Sequence, residues 1–100
     1  MKRKLFLLLT DKVCALFYME KDKLLIKSKE PSKVKARYML VHLCHDLGME
    51  TFEIMRHFHD AGITLHSSTF KRAIEMSRTD VKRDSIYRTE FNKIIQEHVK

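Results

Sequence analysis

Val34-Lys35-Ala36-Arg37-Tyr38-Met39-Leu40-Val41-His42-Leu43-Cys44-His45-Asp46-Leu47-Gly48 is the stretch on which the fold turns. Val34, Tyr38, Met39, Leu40, Val41, Leu43, Cys44 and Leu47 occupy nearly every side of a helical wheel. A helix apolar all round belongs at the buried centre of a bundle, with neighbours on each flank. Gly48 suits the position just past its C-terminus, where a left-handed backbone is wanted and a Cβ is a liability. Glu30-Pro31-Ser32 suits its start, since Pro is tolerated in a first turn whose N–H groups have no helical partner.

Helical periodicity continues on both sides. Leu5, Leu8, Leu9, Val13, Leu16 and Phe17 follow the i, i+3, i+4 spacing of an amphipathic helix. Leu24-Leu25-Ile26 is short enough to be one helical turn or a strand. Residues 51–60 predict a helix with Phe52, Ile54, Met55 and Phe58 inward, broken by Ala61-Gly62-Ile63-Thr64. Ser67, Ser68 and Thr69 offer N-caps for the next helix, in which Phe70, Ala73, Ile74 and Ser77 share one face and Lys71, Arg72, Glu75 and Arg78 the other. Thr79 to Arg83 reads as a polar connection. Asp84 suits the cap of a closing helix, about 84–98, that buries Tyr87, Phe91, Ile94 and Ile95. The expected fold is therefore a single all-α domain over 1–100, a compact bundle of five or six helices.

Composition supports this and removes other classes. The chain has 100 residues with two Gly and one Pro, too few turn residues for an all-β design. No apolar run approaches the roughly 20 residues of a membrane span, so no membrane partner is expected. Met1-Lys2-Arg3-Lys4 before Leu5-Phe6-Leu7-Leu8-Leu9 imitates a signal peptide. The run meets Thr10-Asp11-Lys12 after five residues, however, shorter than an ordinary signal core. Cys14 and Cys44, without CxxC spacing, read as buried free thiols of a cytoplasmic protein.

The formal net charge is +7. Residues 21–37 alone carry +5, and a second basic region follows Ser67. Such a surplus favours polyanionic partners. Two helices joined by a Gly-containing turn, the second opening with hydroxyl residues and showing Lys and Arg outward, make a helix-turn-helix over about 51–78. A helix N-terminus attracts phosphate. Lys71 and Arg72 would then reach base edges in a major groove.

At this point the chain resembles a known family, the C-terminal DNA-binding domain of the bacterial replication initiator DnaA. The likeness runs through Val13-Cys14-Ala15-Leu16-Phe17-Tyr18 and Asp22-Lys23-Leu24-Leu25, then the basic entry Lys33-Val34-Lys35-Ala36-Arg37-Tyr38-Met39. It continues with Ile54 and Phe58, with Ser67-Ser68-Thr69-Phe70-Lys71-Arg72-Ala73, and with the closing Phe91, Ile94 and Ile95. It covers nearly the whole chain in order and spacing, although each motif alone is weak. It implies a Trp-repressor-like all-α fold containing a helix-turn-helix, and a DNA-facing surface.

This chain departs from the family's Arg-Asp-His signature. In one register Leu65, His66 and Ser67 stand at those positions. In another His66 takes the place of the His and the following residues fall out of phase. The turn is longer by roughly three or four residues, and Met55 replaces the usual Gly. No GxxxxGK[ST] phosphate loop occurs, so nucleotide hydrolysis is not expected.

The resemblance and the residue chemistry together assign Ser68, Thr69, Lys71 and Arg72 to bases. Lys27, Lys29, Lys33, Lys35, Arg37, His66, Ser67 and Arg78 are assigned to the DNA backbone. The expected function is non-catalytic double-stranded DNA binding by a small bacterial or phage-type protein. A larger replication or mobile-element protein is a further conceivable partner. A helical protein-interaction module without DNA contact is the alternative, and a membrane-surface binder using residues 1–17 a third. Six His invite a metal, but His42/His45 and His57/His59 lack converging zinc spacings, so neither metal nor cofactor is expected and the His are read as surface residues. No nucleophile stands in a catalytic arrangement. Cys44 and His45 are neighbours on a helix and do not face each other.

Overall fold

A computed structural model describes residues 2–25 and 29–98. These residues form six helices and no strand: α1 (Arg3–Leu16), α2 (Lys21–Leu24), α3 (Pro31–Asp46), α4 (Thr51–Asp60), α5 (Ser67–Arg83) and α6 (Ser85–His98). The all-α bundle is as expected, and α3 is its axis. Ala36, Met39, Leu40, Val41, His42, Leu43 and Cys44 are all buried, because α1, α2, α4, α5 and α6 all pack on α3. Phe6, Leu9 and Val13 of α1, Ile54 and Phe58 of α4, Ala73 of α5 and Phe91 of α6 complete the core. Each large side chain removed from water in this way contributes about 1.5–3 kcal/mol.

One device ends three of the helices. After α3, Gly48 sits at φ +93°. Its N–H bonds the His45 carbonyl at 3.1 Å, and the Met49 N–H bonds the Cys44 carbonyl at 3.1 Å. After α4, Gly62 at φ +101° repeats the pattern, with Gly62 N–H on His59 O at 3.0 Å and Ile63 N–H on Phe58 O at 2.9 Å. This is the Schellman arrangement, and an apolar residue follows the glycine each time. After α1 the same role falls to Tyr18, at φ +53°, with Met19 N–H on Cys14 O at 3.1 Å. A Cβ is strained there, and the Tyr18 side chain is 95% exposed, so it returns no packing. Tyr18→Gly is expected to stabilise the protein by about 0.5–1 kcal/mol. A denaturant midpoint unchanged or lowered would contradict that reading.

Several local expectations are corrected. Thr79–Arg83 is helix rather than connection, and α5 runs unbroken to Arg83. No Gly or Pro interrupts it and Val81 packs against the core. The break comes at Asp84, whose carboxylate accepts the Ile86 and Tyr87 N–H groups at 3.0 and 3.1 Å and so caps α6 as the sequence suggested. The N-cap of α5 is His66; its side chain makes no cap hydrogen bond, and Ser67 to Thr69 lie in the first turn. Phe52 is 62% exposed rather than inward, since the buried residues of α4 are Ile54, His57 and Phe58 and Phe52 lies on the other side of the helix. Leu24 belongs to the single turn α2 rather than a strand.

Candidate nucleic-acid interface

A cleft of about 390 Å³ opens between the first half of α3 and the connection from α4 to α5. Lys29, Val34, Arg37, Tyr38 and Val41 form one wall, and Ile63, Thr64, Leu65, His66 and Thr69 the other. The turn at Gly62 creates it. The chain leaves α4 by its Schellman turn, runs extended through His66 (φ −86°, ψ 156°) and enters α5 beside α3. The basic segment and the start of α5 are thereby brought together. Phe70 is the first N–H to bond within α5, to His66 O at 2.9 Å. The N–H groups of Ser67, Ser68 and Thr69 precede it at the positive end of the helix dipole.

Beyond Thr69, the outer face of α5 carries Ser68, Lys71, Arg72 and Glu75 around a shallow depression. Ser68, Lys71 and Arg72 are exposed. No ion pair engages Lys71 or Arg72 among the described residues. Ser67 is exposed at the head of the helix, and Arg78 is exposed two turns beyond Lys71 on the same face. Burial pulls the Arg37 guanidinium below its ordinary range, opposed by Tyr38, yet an arginine stays charged at neutral pH.

The basic segment does not present a single face. Lys33 lies 3.3 Å from the Glu30 carboxylate, with its side chain only 18% exposed. Lys35 points to the opposite flank of α3. It pairs with Asp84 at 3.6 Å and lies over the Tyr87 ring at 5.4 Å. Lys33 and Lys35, both assigned to the DNA backbone from the sequence, therefore do not present one common face, since residues two apart on a helix diverge. Asp84 is held below the usual carboxylate range, first by the Tyr87 N–H, with Lys35 adding to the effect. Lys27 lies outside the described residues.

Behind the surface, α5 is fastened by a buried polar chain that periodicity did not show. His42 Nδ1 lies 2.9 Å from Ser77 Oγ, and Ser77 Oγ lies 2.6 Å from Tyr87 Oη. His42 Nε2 faces Asp46 at 3.3 Å. The order Asp–His–Ser resembles a hydrolase relay, but Ser77 is 0% exposed and meets no substrate in this conformation. The chain is a brace joining α3, α5 and α6. The inward positions of Ser77 and Tyr87 were the sequence signals for it.

The histidines, read from the sequence as surface residues, divide. His42 and His57 are buried, whereas His45 and His59 are exposed. His57 stacks on Phe6 at 5.0 Å, and neither of its ring nitrogens has a hydrogen-bond partner among the described residues. No group of three His, Cys, Asp or Glu among the described residues is placed to hold a metal ion. Burial lowers the proton affinity of both His42 and His57. A folded state that resists protonation is fully favoured above the unfolded value near 6.5 and loses stability as pH falls through it toward the lower folded values. His57→Phe is expected to raise stability by about 1 kcal/mol. It should also flatten the decline between roughly pH 7 and 5, as thermal melts across that range would read. An unaltered pH profile would count against the role given to His57.

Comparison with protein-family models, with curated proteins and with solved structures finds no match to this chain. No helix among the described residues is long and apolar enough to cross a membrane.

Proposed function

We propose that this protein is a non-catalytic double-stranded DNA-binding module that lays α5 in a major groove while cations beside its N-terminus hold the backbone. The observation that carries this reading is the meeting of Lys29, Arg37, His66 and Thr69 around one cleft, next to the exposed Lys71 and Arg72. Phosphate contacts fix register and base contacts specify sequence, and the two sets lie on adjoining surfaces. Lys29, Arg37, His66, Ser67 and Arg78 take the backbone role, and Ser68, Thr69, Lys71 and Arg72 the base-facing one. Kinship with the C-terminal domain of DnaA and residence in the cytoplasm belong to the same proposal. The latter is supported by Cys14 and Cys44, both buried and unbridged.

Two features set the arrangement apart from a compact helix-turn-helix. Six residues, 61–66, separate α4 from α5, where three or four are usual. The two helices also pack chiefly on α3 rather than on each other.

Fluorescence anisotropy with a labelled random duplex tests the proposal. Binding is expected at low salt, with log K falling by about 0.9 per phosphate neutralised. Absence of affinity at low salt would sink it. A second reading, a protein-interaction module, is favoured by the exposed apolar side chains of Ile86 (75%) and Phe52 (62%), and it becomes the better one if duplex binding fails.

A further inference from the structure

We propose that Glu75 is a specificity residue that requires cytosine in the DNA major groove, one base pair from the guanine taken by Arg72. The inference rests on the DNA-binding reading above and names the sequence class that reading selects. It is carried by the position of the carboxylate on α5. The buried residues of that helix are Phe70, Ala73, Ile74 and Ser77. At about 100° per residue, the line farthest from them runs through Ser68, Arg72, Glu75 and Thr79, all four exposed. Arg78 and Lys82 stand exposed on one shoulder of this line and Arg83 on the other. Glu75 is the one acidic residue on the line. No ion pair engages its carboxylate among the described residues.

That placement decides what Glu75 can do. On a shoulder, beside a phosphate, a carboxylate costs affinity. On the outermost line it lies toward the floor of the groove, where base edges rather than phosphates are in reach. Among the four bases, cytosine alone presents there a donor, its N4 amino group, and no acceptor. Guanine presents two acceptors, thymine one, and adenine sets its N7 acceptor beside the N6 amino group. An ionised carboxylate only accepts, so cytosine matches it and the other three oppose it at one atom or more. Glu75 follows Arg72 by about 4.5 Å along the helix, against a rise of roughly 3.4 Å per base pair. The two side chains therefore address neighbouring pairs, and the preferred duplex carries two adjacent G·C pairs.

Selection from a random duplex pool, run in parallel on the full chain and on its Glu75→Gln and Glu75→Ala variants, tests this. Both substitutions change an exposed side chain. The native chain is expected to retain duplexes with adjacent G·C pairs. Glu75→Gln is expected to exchange the cytosine-bearing pair for A·T, because an amide donates to N7 of adenine and accepts from its N6 amino group. Glu75→Ala is expected to lose about tenfold of the discrimination at that pair alone, read by anisotropy. It should bind random duplex no more weakly than the native chain, since a charge that repels phosphate is gone. Selected bases unchanged in both variants would mean that Glu75 is only a solvated side chain, and would overturn the inference while leaving DNA binding in place. So would native selections with no demand for cytosine. Retention of no duplex by any of the three chains would bring down the DNA-binding reading, and this inference with it.

Discussion

Replacing Leu40 by alanine is expected to destabilise the protein by about 2–5 kcal/mol, a large part of the roughly 5–15 kcal/mol a domain has. Leu40 is 0% exposed at the middle of α3, the helix on which every other helix rests. Truncation of so fully buried a side chain leaves a cavity that the surrounding core fills only in part. Urea unfolding followed by circular dichroism reads the effect. Lys23→Ala, on an exposed position of α2, serves as the comparison and should stay within about 0.5 kcal/mol. A loss below about 1 kcal/mol for Leu40→Ala would mean that α3 is not the centre of the bundle.

Arg72→Ala is expected to cost sequence preference rather than general affinity. A bidentate arginine–guanine contact is worth about 1–3 kcal/mol, so a preferred duplex should lose roughly 5- to 150-fold while a random duplex loses much less. Lys29→Ala should weaken all duplexes alike and reduce the salt slope by about one. Lys35→Ala should leave binding unchanged, because its ammonium is engaged with Asp84 on the flank toward α6. Selection from a random duplex pool identifies the preferred site, and anisotropy on selected and random duplexes then reads all three variants. Equal loss on both duplexes for Arg72→Ala would remove it from the base-facing set. A clear loss for Lys35→Ala would place the DNA on the other side of α3.

Much of the architecture was legible because it is written in local periodicity. Val34 to Leu47, apolar all round, announced a central helix. Gly48 announced a left-handed helix end and Asp84 a cap, each through the conformational or hydrogen-bonding character of a single residue, and Ala61-Gly62-Ile63-Thr64 announced the break after α4. Tyr18 was not legible in this way. It adopts the glycine conformation without being glycine, under the pull of Met19, which packs against the core. The length of α5 was misjudged for a related reason. Thr79 to Arg83 are polar, but polarity does not end a helix when no breaker is present and Val81 still finds the core.

The interface divides along the same line. That Lys71, Arg72 and Arg78 lie outward on one helix followed from 3.6-residue periodicity, as did the inward position of Ser77. The divergence of Lys33 from Lys35 obeys the same periodicity. Which flank of α3 each lysine meets depended on where α6 docks, and Asp84 stands 49 positions away from Lys35 in the chain. The brace of His42, Ser77 and Tyr87 joins residues separated by 35 and 10 positions. The cleft joins Arg37 to His66 and Thr69 across the whole of α4. Residue order determined the helices, their ends and their polar faces, because those follow from steric and hydrogen-bonding preferences within a few residues. Tertiary packing alone decided which faces meet, because that choice depends on distant surfaces competing to leave water.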